Sequence, residues 1–213
     1  MGKVSPQAIQ QAAFDLTAKQ GSAAVTMQEL ARVLGVKAPS LYAHVNSLAS
    51  VKAGVAIEAL DRLNQVLVEA ALGKAGVDAG YAVGWGYRQW ALAHPLLYQA
   101  IMAAPALGCD YDQIVAANKR VGMTVRRALG SFCATYGDAL DAERYLRSLV
   151  NGYVSYELAG FFAEDARSTD DSFDAALRHA LSWYATQPQH AVSDSLLEYP
   201  PMENAPSADR ERG

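Results

Sequence analysis

The stretch TMQELARVLGVKAPSLYAHV, residues 26–45, decides the fold. Thr26 is followed three residues later by Glu29, the capping-box spacing in which a hydroxyl and a carboxylate satisfy orphan amides at a helix start. Leu30, Val33 and Leu34 then form a one-sided apolar stripe, the mark of a helix with one buried face. Gly35 ends that helix, because the residue just past a helix end often takes positive φ, which glycine adopts at little cost. Pro39 fits only near the start of a following helix, so the turn is confined to residues 35–38. Leu41 and Val45 lie four apart and face the first helix, while Ser40, Tyr42 and His44 point elsewhere. The pattern is that of a helix-turn-helix, whose second helix enters the DNA major groove.

From Ser5 to Leu60 the chain resembles the TetR family of one-component transcriptional repressors. The resemblance is carried by Ala13 and Gly21, by Thr26, Leu30, Ala31 and Leu34-Gly35-Val36, and by Ala38-Pro39-Ser40-Leu41-Tyr42 with His44. The run G-V-x-x-x-S-L-Y-x-H, at this distance after T-x-x-E-L-A, is far more specific than a lone capping box. A more diffuse resemblance over 80–185 is to one type of TetR C-terminal domain, the WHG-like type. Its tokens are Tyr87-Arg88, Ala91-x-Ala93-His94-Pro95-x-x-Tyr98, Leu149-Val150-Asn151-Gly152 and Glu157-x-Ala159-Gly160-x-Phe162, with Asn151 where many relatives carry histidine. The resemblance implies an all-α homodimer. An N-terminal three-helix DNA-binding domain is joined by a long helix to a larger ligand-binding and dimerisation domain. The expected divisions are 1–48 for the DNA-binding domain, 49–188 for the second domain and 189–213 for a disordered tail. Three positions depart from the family pattern: Lys37 replaces a common capping serine, Ala43 a frequent arginine, and Leu48 a lysine that often touches phosphate. These changes imply fewer contacts to the DNA backbone.

Outward from the motif, Ser5-Pro6 reads as a helix cap and first turn, with Ile9, Ala12, Ala13 and Leu16 at helical spacing and Gly21 as the stop. Asn46-Ser47 offers a cap for a long fourth helix lined by Val51, Val55, Ala59 and Leu63. The glycine-rich run from Ala71 to Gly80 reads as a loop, followed by a helix over 78–93 that His94-Pro95 interrupts. A short helix over 95–103 follows. Two long periodic segments come next, 110–136 and 141–163, separated by Gly137-Asp138. A last helix is predicted over 172–186, capped by Asp170, Asp171 or Ser172. The long pair carries more apolar residues than one core-facing stripe needs and is expected to pair with its symmetry mates as a four-helix bundle.

Composition narrows the class. The 213 residues are 51% hydrophobic, enough for a sizeable core. No run of about eighteen apolar residues marks a membrane span. The opening MGKVSPQ has no apolar core, so no secretory signal is expected, and a cytoplasmic protein is. Cys109 and Cys133 are too few and too distant for a disulfide framework or a zinc cluster, and they read as free thiols. Net charge is −4, yet residues 1–52 carry +3, which leaves −7 on the rest. A basic head on an acidic body suits a protein that touches DNA with one end only.

The DNA-contact candidates are Thr26, Gln28, Lys37, Ala38, Pro39, Ser40, Tyr42, His44 and Lys52. Residues near the start of a recognition helix reach base edges and later ones reach phosphates. Lys37 is positioned as a guanine reader, and Thr26 and Gln28 as phosphate ligands at a helix start. In the second domain Trp85, Arg88, Trp90, Tyr98, Met102, Met123 and Tyr153 are the candidates to line an apolar ligand pocket, with Asn118 and Asn151 able to orient its occupant. For each aromatic, simple core filling is the competing reading. Histidines 94, 179 and 190 lack metal spacing, and no nucleophile elbow, phosphate loop or zinc-protease motif occurs. No enzyme, metal or cofactor is therefore expected. The sequence points to a ligand-responsive repressor that releases operator DNA when a small, mostly apolar molecule binds. The alternative is a small-molecule carrier on the same fold without operator binding.

Overall fold

The computed structural model describes residues 4–130, 133, 135–163 and 167–186. The tail expected over 189–213 and the apolar Phe132 lie outside them. Among the described residues the fold is all-α: α1 (Pro6–Gln20), α2 (Met27–Leu34), α3 (Ala38–Leu41), α4 (Leu48–Ala71), α5 (Gly76–Ala93), α6 (Pro95–Ala103), α7 (Tyr111–Leu129), α8 (Tyr136–Leu158) and α9 (Thr169–Ala185).

The head is α1 to α3. Ser5 caps α1 by accepting the Ala8 amide at 3.2 Å, and Pro6 takes the first turn, where its missing N–H costs nothing. Thr26 caps α2 by accepting the Glu29 amide at 3.1 Å. The reciprocal half of the expected capping box is not made. The Glu29 carboxylate instead clasps Arg32 through two bonds of 2.6 and 2.8 Å, one turn further along the helix. Gly35 lies in the left-handed region at φ 68°, as the turn requires. Ile9, Phe14, Leu30 and Leu41 close the head core, each at most 3% exposed.

The 24-residue α4 begins at a full capping box, in which Ser47 and Ser50 exchange side-chain and backbone bonds of 3.0 and 3.3 Å. Its buried face, Val51, Val55, Ala59, Leu63 and Leu67, runs from the head into the body without a break in the core. In the body α4 packs chiefly on α7 and α5, while α9 packs on α5 and α8. Two glycines of α5 admit α9. A Cβ on Gly84 would sit 2.9 Å from Leu177, and one on Gly80 2.7 Å from Leu181. Phe173, Leu177 and Leu181 are thereby almost fully buried, each contributing about 1.5–3 kcal/mol of apolar transfer.

Several boundaries differ from the sequence reading. The loop expected up to Gly80 ends sooner, since α5 starts at Gly76. Gly137-Asp138 is not a break. Thr135 accepts the Asp138 amide at 3.1 Å while Asp138 accepts the Thr135 amide at 2.9 Å, so this pair opens α8 instead of ending a helix. The preceding helix, α7, stops at Leu129. The last helix begins at Thr169, capped by Ser168, with Asp170 and Asp171 in its first turn. The main apolar face of α7 packs within the protomer. Ile114, Ala117, Val121, Val125 and Leu129 are spent inside the protomer, and its outward positions include Asp112, Gln113, Arg120 and Arg127. Exposed large aromatics lie at the start of α7, at Tyr111, and on α8 and α9, where Tyr145, Tyr156 and Trp183 are each about half exposed.

Candidate DNA-reading head and ligand groove

The first candidate site is the turn between α2 and α3 with its flanks. Leu41 is fully buried and Val45 packs on the same core, which turns the rest of the segment outward. Lys37, Pro39, Ser40, Tyr42 and His44 are exposed, as are Thr26 and Gln28, while Ala38 and Lys52 are half-buried. Tyr42 is 59% exposed, a large exposure for an aromatic ring that makes no ring contact or side-chain hydrogen bond among the described residues. Lys37 occupies the N-cap position of α3 but makes no capping bond, so its ammonium is not committed to its own helix. His44 sits where the turn after α3 meets α1 and α4, in a cleft of about 380 Å³ with Gln7, Gln10 and Ser50. Leu48 is half-buried against the core. All nine sequence-selected DNA candidates therefore fall on or beside one surface segment, and none is buried.

The body candidates separate into two groups. Trp85 and Tyr153 meet on either side of Phe173, with ring centroids 5.0 and 5.2 Å from it. Arg88 lies over Phe173 at 4.9 Å and forms a two-pronged pair with Glu157 at 2.7 and 2.8 Å, plus a 2.6 Å contact to Asp170. Burial pulls the Arg88 charge down, but the bonds to Glu157 and Asp170 outweigh it and hold its pKa above the ordinary value. Arg88 is thus committed to the protein. Tyr153 likewise donates its hydroxyl to the Ser172 carbonyl at 3.1 Å. Trp90 is buried against His94 at 5.3 Å, and Met123 is half-buried on α7.

The second group is a polar stripe along the inner face of α8. Glu143, Arg147, Asn151 and Ser155 recur every fourth residue, the spacing that aligns side chains on one helix face. Glu143 receives the buried Arg126 and also Arg147, the latter at 3.1 Å, and Arg147 reaches Asn118 at 2.5 Å. Further along, Tyr87 and Tyr98 both donate to Asn151 Oδ1, at 3.2 and 3.1 Å. Burial pushes the Tyr87 phenol up, and the nearby Arg147 charge pulls the other way. The stripe surfaces at Ser155, in a groove of about 530 Å³ between α6 and α8. Tyr98 and Met102 line it with Gln99, Ala103, Leu158 and Ala159. Of the seven body candidates, only Tyr98 and Met102 reach this groove. Ser155 escaped the sequence reading, although the four-residue recurrence on α8 carried the signal, and Tyr87 of α5 was marked there only as part of the resemblance and not as a site residue.

Two features define the class: a helix-turn-helix head that turns Lys37, Ser40, Tyr42 and His44 outward, and a continuous α-helical body bearing a groove. Residues 9–47 match the family described as bacterial regulatory proteins, tetR family, and residues 81–180 match the tetracyclin repressor-like C-terminal domain. The chain is 32% identical to the HTH-type transcriptional regulator Rv0681 of Mycobacterium tuberculosis, over 84% of this chain and 81% of that one. Among solved structures, a protein of unknown function from Rhodococcus sp. RHA1 superposes with a TM-score of 0.72 at 19% identity, covering 85% of this chain and 96% of that one. A TetR from Streptomyces coelicolor gives a TM-score of 0.64 at 17% identity, over 85% and 98%. The chain belongs to the TetR family of transcriptional regulators, which are DNA-binding transcription factors and not enzymes. No helix among the described residues is long and apolar enough to cross a membrane.

Proposed function

We propose that this regulator is a cytoplasmic, ligand-responsive repressor that binds operator DNA as a homodimer. The head, residues 1–48, reads DNA, and the body, 49–188, senses a small, mostly apolar molecule. The observation that carries the reading is the outward set Lys37, Ser40, Tyr42 and His44, which the buried Leu41 fixes in direction and which is exposed in the free protein. Two copies joined through the exposed aromatics of α8 and α9 would bury the same patch on each chain. To reach successive major grooves, the two α3 helices must then stand about 34–36 Å apart.

The groove supports the ligand half of the reading through α6. One side of this helix supplies Tyr98 and Met102 to the groove, and α6 also packs on both α4 and α1. Its Leu96 lies 3.5 Å from where a Cβ on Gly21 would stand, at the end of α1. A molecule that displaces α6 therefore acts on the connecting helix and on the head together. The shift requires tighter binding to the DNA-incompetent arrangement, because equal affinity moves nothing. A coupling of about 1–3 kcal/mol corresponds to a loss of operator affinity of about 5- to 150-fold. Electrophoretic shift with the DNA upstream of the chain's own coding sequence, alongside light scattering, tests the reading. A retarded complex and a dimer at micromolar protein are expected. A folded dimer that retards no such DNA would instead favour the carrier reading.

A further inference from the structure

We infer that the cleft where the ends of α4 and α7 meet the start of α5 binds a small anionic amphiphile, a carboxylate or phosphate head on a short apolar chain. This site is separate from the α6–α8 groove and does not depend on the role given to that groove. The cleft holds about 330 Å³, within the usual range for a small-molecule site. It lies at the end of α4 remote from the head, 24 residues or about 36 Å along that helix. Val68, Leu72 and Ala128 supply apolar walls. Leu72 is 77% exposed, the most exposed large apolar side chain among the described residues, and Val68, four positions earlier, is exposed as well. A single exposed apolar residue is ordinary, but a neighbouring pair on the rim of a cleft is a surface that an apolar chain would cover.

Charge selects the head group. Lys74 and Arg127 line the cleft, and no carboxylate does. The Arg127 guanidinium makes no hydrogen bond or ion pair among the described residues. Lys74 spends one ammonium proton on the Ala70 carbonyl at 2.9 Å and keeps two. Both cations also sit at carboxyl ends of helices, where they offset the dipole, yet the magnitudes leave a surplus. The ends of α4 and α7 bring about half a negative charge each, and the start of α5, which no side chain caps, brings about half a positive one; against two full cations the lining keeps an excess of roughly one and a half positive charges. The acidic side chains nearest in sequence, Glu69 and Asp78, are not part of the lining, and Glu69 already accepts from Gln65 Nε2 at 2.7 Å. Thr124, the remaining polar side chain of the lining, gives its proton to Asn64 Oδ1 at 2.7 Å, so the side-chain donors facing an occupant are the two cations. An ammonium entering here would meet like charge. A carboxylate or phosphate would meet the guanidinium fork, whose geometry matches two of its oxygens.

Probes with one tail and different heads test the site: octanoate, octyl phosphate, octylammonium and octan-1-ol, each titrated calorimetrically into the full chain. The two anions are expected to bind about tenfold or more tightly than octylammonium and octan-1-ol, with affinity falling as salt rises. The double variant Lys74→Gln/Arg127→Gln, at two exposed positions, is expected to lose about tenfold in affinity for both anions with an unchanged circular dichroism spectrum. Arg32→Gln removes an exposed cation from the head and should leave anion binding as it was. Octylammonium or octan-1-ol binding as tightly as octanoate in the unaltered protein would overturn the inference, as would the binding of neither anion. An unchanged anion affinity in the double variant, or an equal loss in Arg32→Gln, would overturn it too, since the anions would then be held elsewhere or by net charge alone. Vesicles of phosphatidylglycerol separate a membrane surface from a single soluble molecule: retention of the chain on them without binding of octanoate or octyl phosphate would contradict the assignment.

Discussion

The reading surface is drawn from one nearly continuous stretch, Thr26 to His44, whereas the groove joins Tyr98 of α6 to Ser155 of α8, 57 positions away. The head presents charges that are exposed and singly paired. Glu29 clasps Arg32 on the surface, and Lys37 makes no bond within its helix. The body, besides exposed pairs such as Arg120 with Asp61, also holds charges inside, with Arg126 and Arg147 sharing the buried Glu143. The contrast separates two ways of using polar residues. A surface that must meet a polyanion keeps its donors in water until the partner arrives. An interior stripe must satisfy its members beforehand, since each unpaired buried group is costly.

The largest expected effect tests that contrast through Glu143. Glu143→Ala leaves two arginines without their shared carboxylate and is expected to cost about 3–5 kcal/mol in urea denaturation, whereas Arg32→Ala on the head surface should change stability by less than about 0.5 kcal/mol. Similar losses in both variants would break the distinction. Next is Lys37→Ala. It should relax base preference at one operator position by about 1–3 kcal/mol while leaving the melting temperature unchanged. An equal loss on every DNA sequence would move Lys37 from base reading to phosphate contact. Thr26→Ala removes the cap of α2 and should lower stability by about 1 kcal/mol, visible as an earlier denaturation midpoint.

The smallest effect is a pH dependence confined to the body. Burial, with help from the Asp138 charge, pushes the Cys133 thiol from an ordinary 9.0 up to about 11. The folded state therefore favours the neutral thiol. That contribution is complete below about pH 9 and is lost as pH rises through about 11. Cys133→Ala should make the decline in denaturation midpoint across this window shallower. A decline identical to that of the unaltered chain would show that other groups dominate it.

The head was legible in the sequence because its rules are local. A cap at Thr26, a left-handed glycine at 35 and a proline at 39 each act within one turn of chain. His94-Pro95 marked the α5–α6 junction by the same kind of rule. The region after Leu129 was misread because Gly137-Asp138 looks like a breaker, although Thr135-x-x-Asp138 has the spacing of a cap. Caps and breakers draw on the same residue types, and tertiary context decides between them. In the body, Trp85 and Tyr153 were picked out by size and do meet, but around Phe173, in a packed cluster separate from the groove. The partners of Arg88, Glu157 and Asp170, come from distant helices, so nothing near Arg88 in sequence announces that its charge is already taken.

The account turns on whether the outward face of the α2–α3 segment holds DNA. The direct measurement is fluorescence anisotropy of the chain's own upstream duplex, titrated with the unaltered protein and with the double variant Tyr42→Phe/His44→Ala, against an unrelated duplex. The unaltered protein should prefer its own duplex and weaken as salt rises, and the double variant, with an unchanged circular dichroism spectrum, should bind about tenfold or more weakly through the loss of two contacts. Equal affinity of the two proteins, or no preference for the upstream duplex, would contradict the assignment.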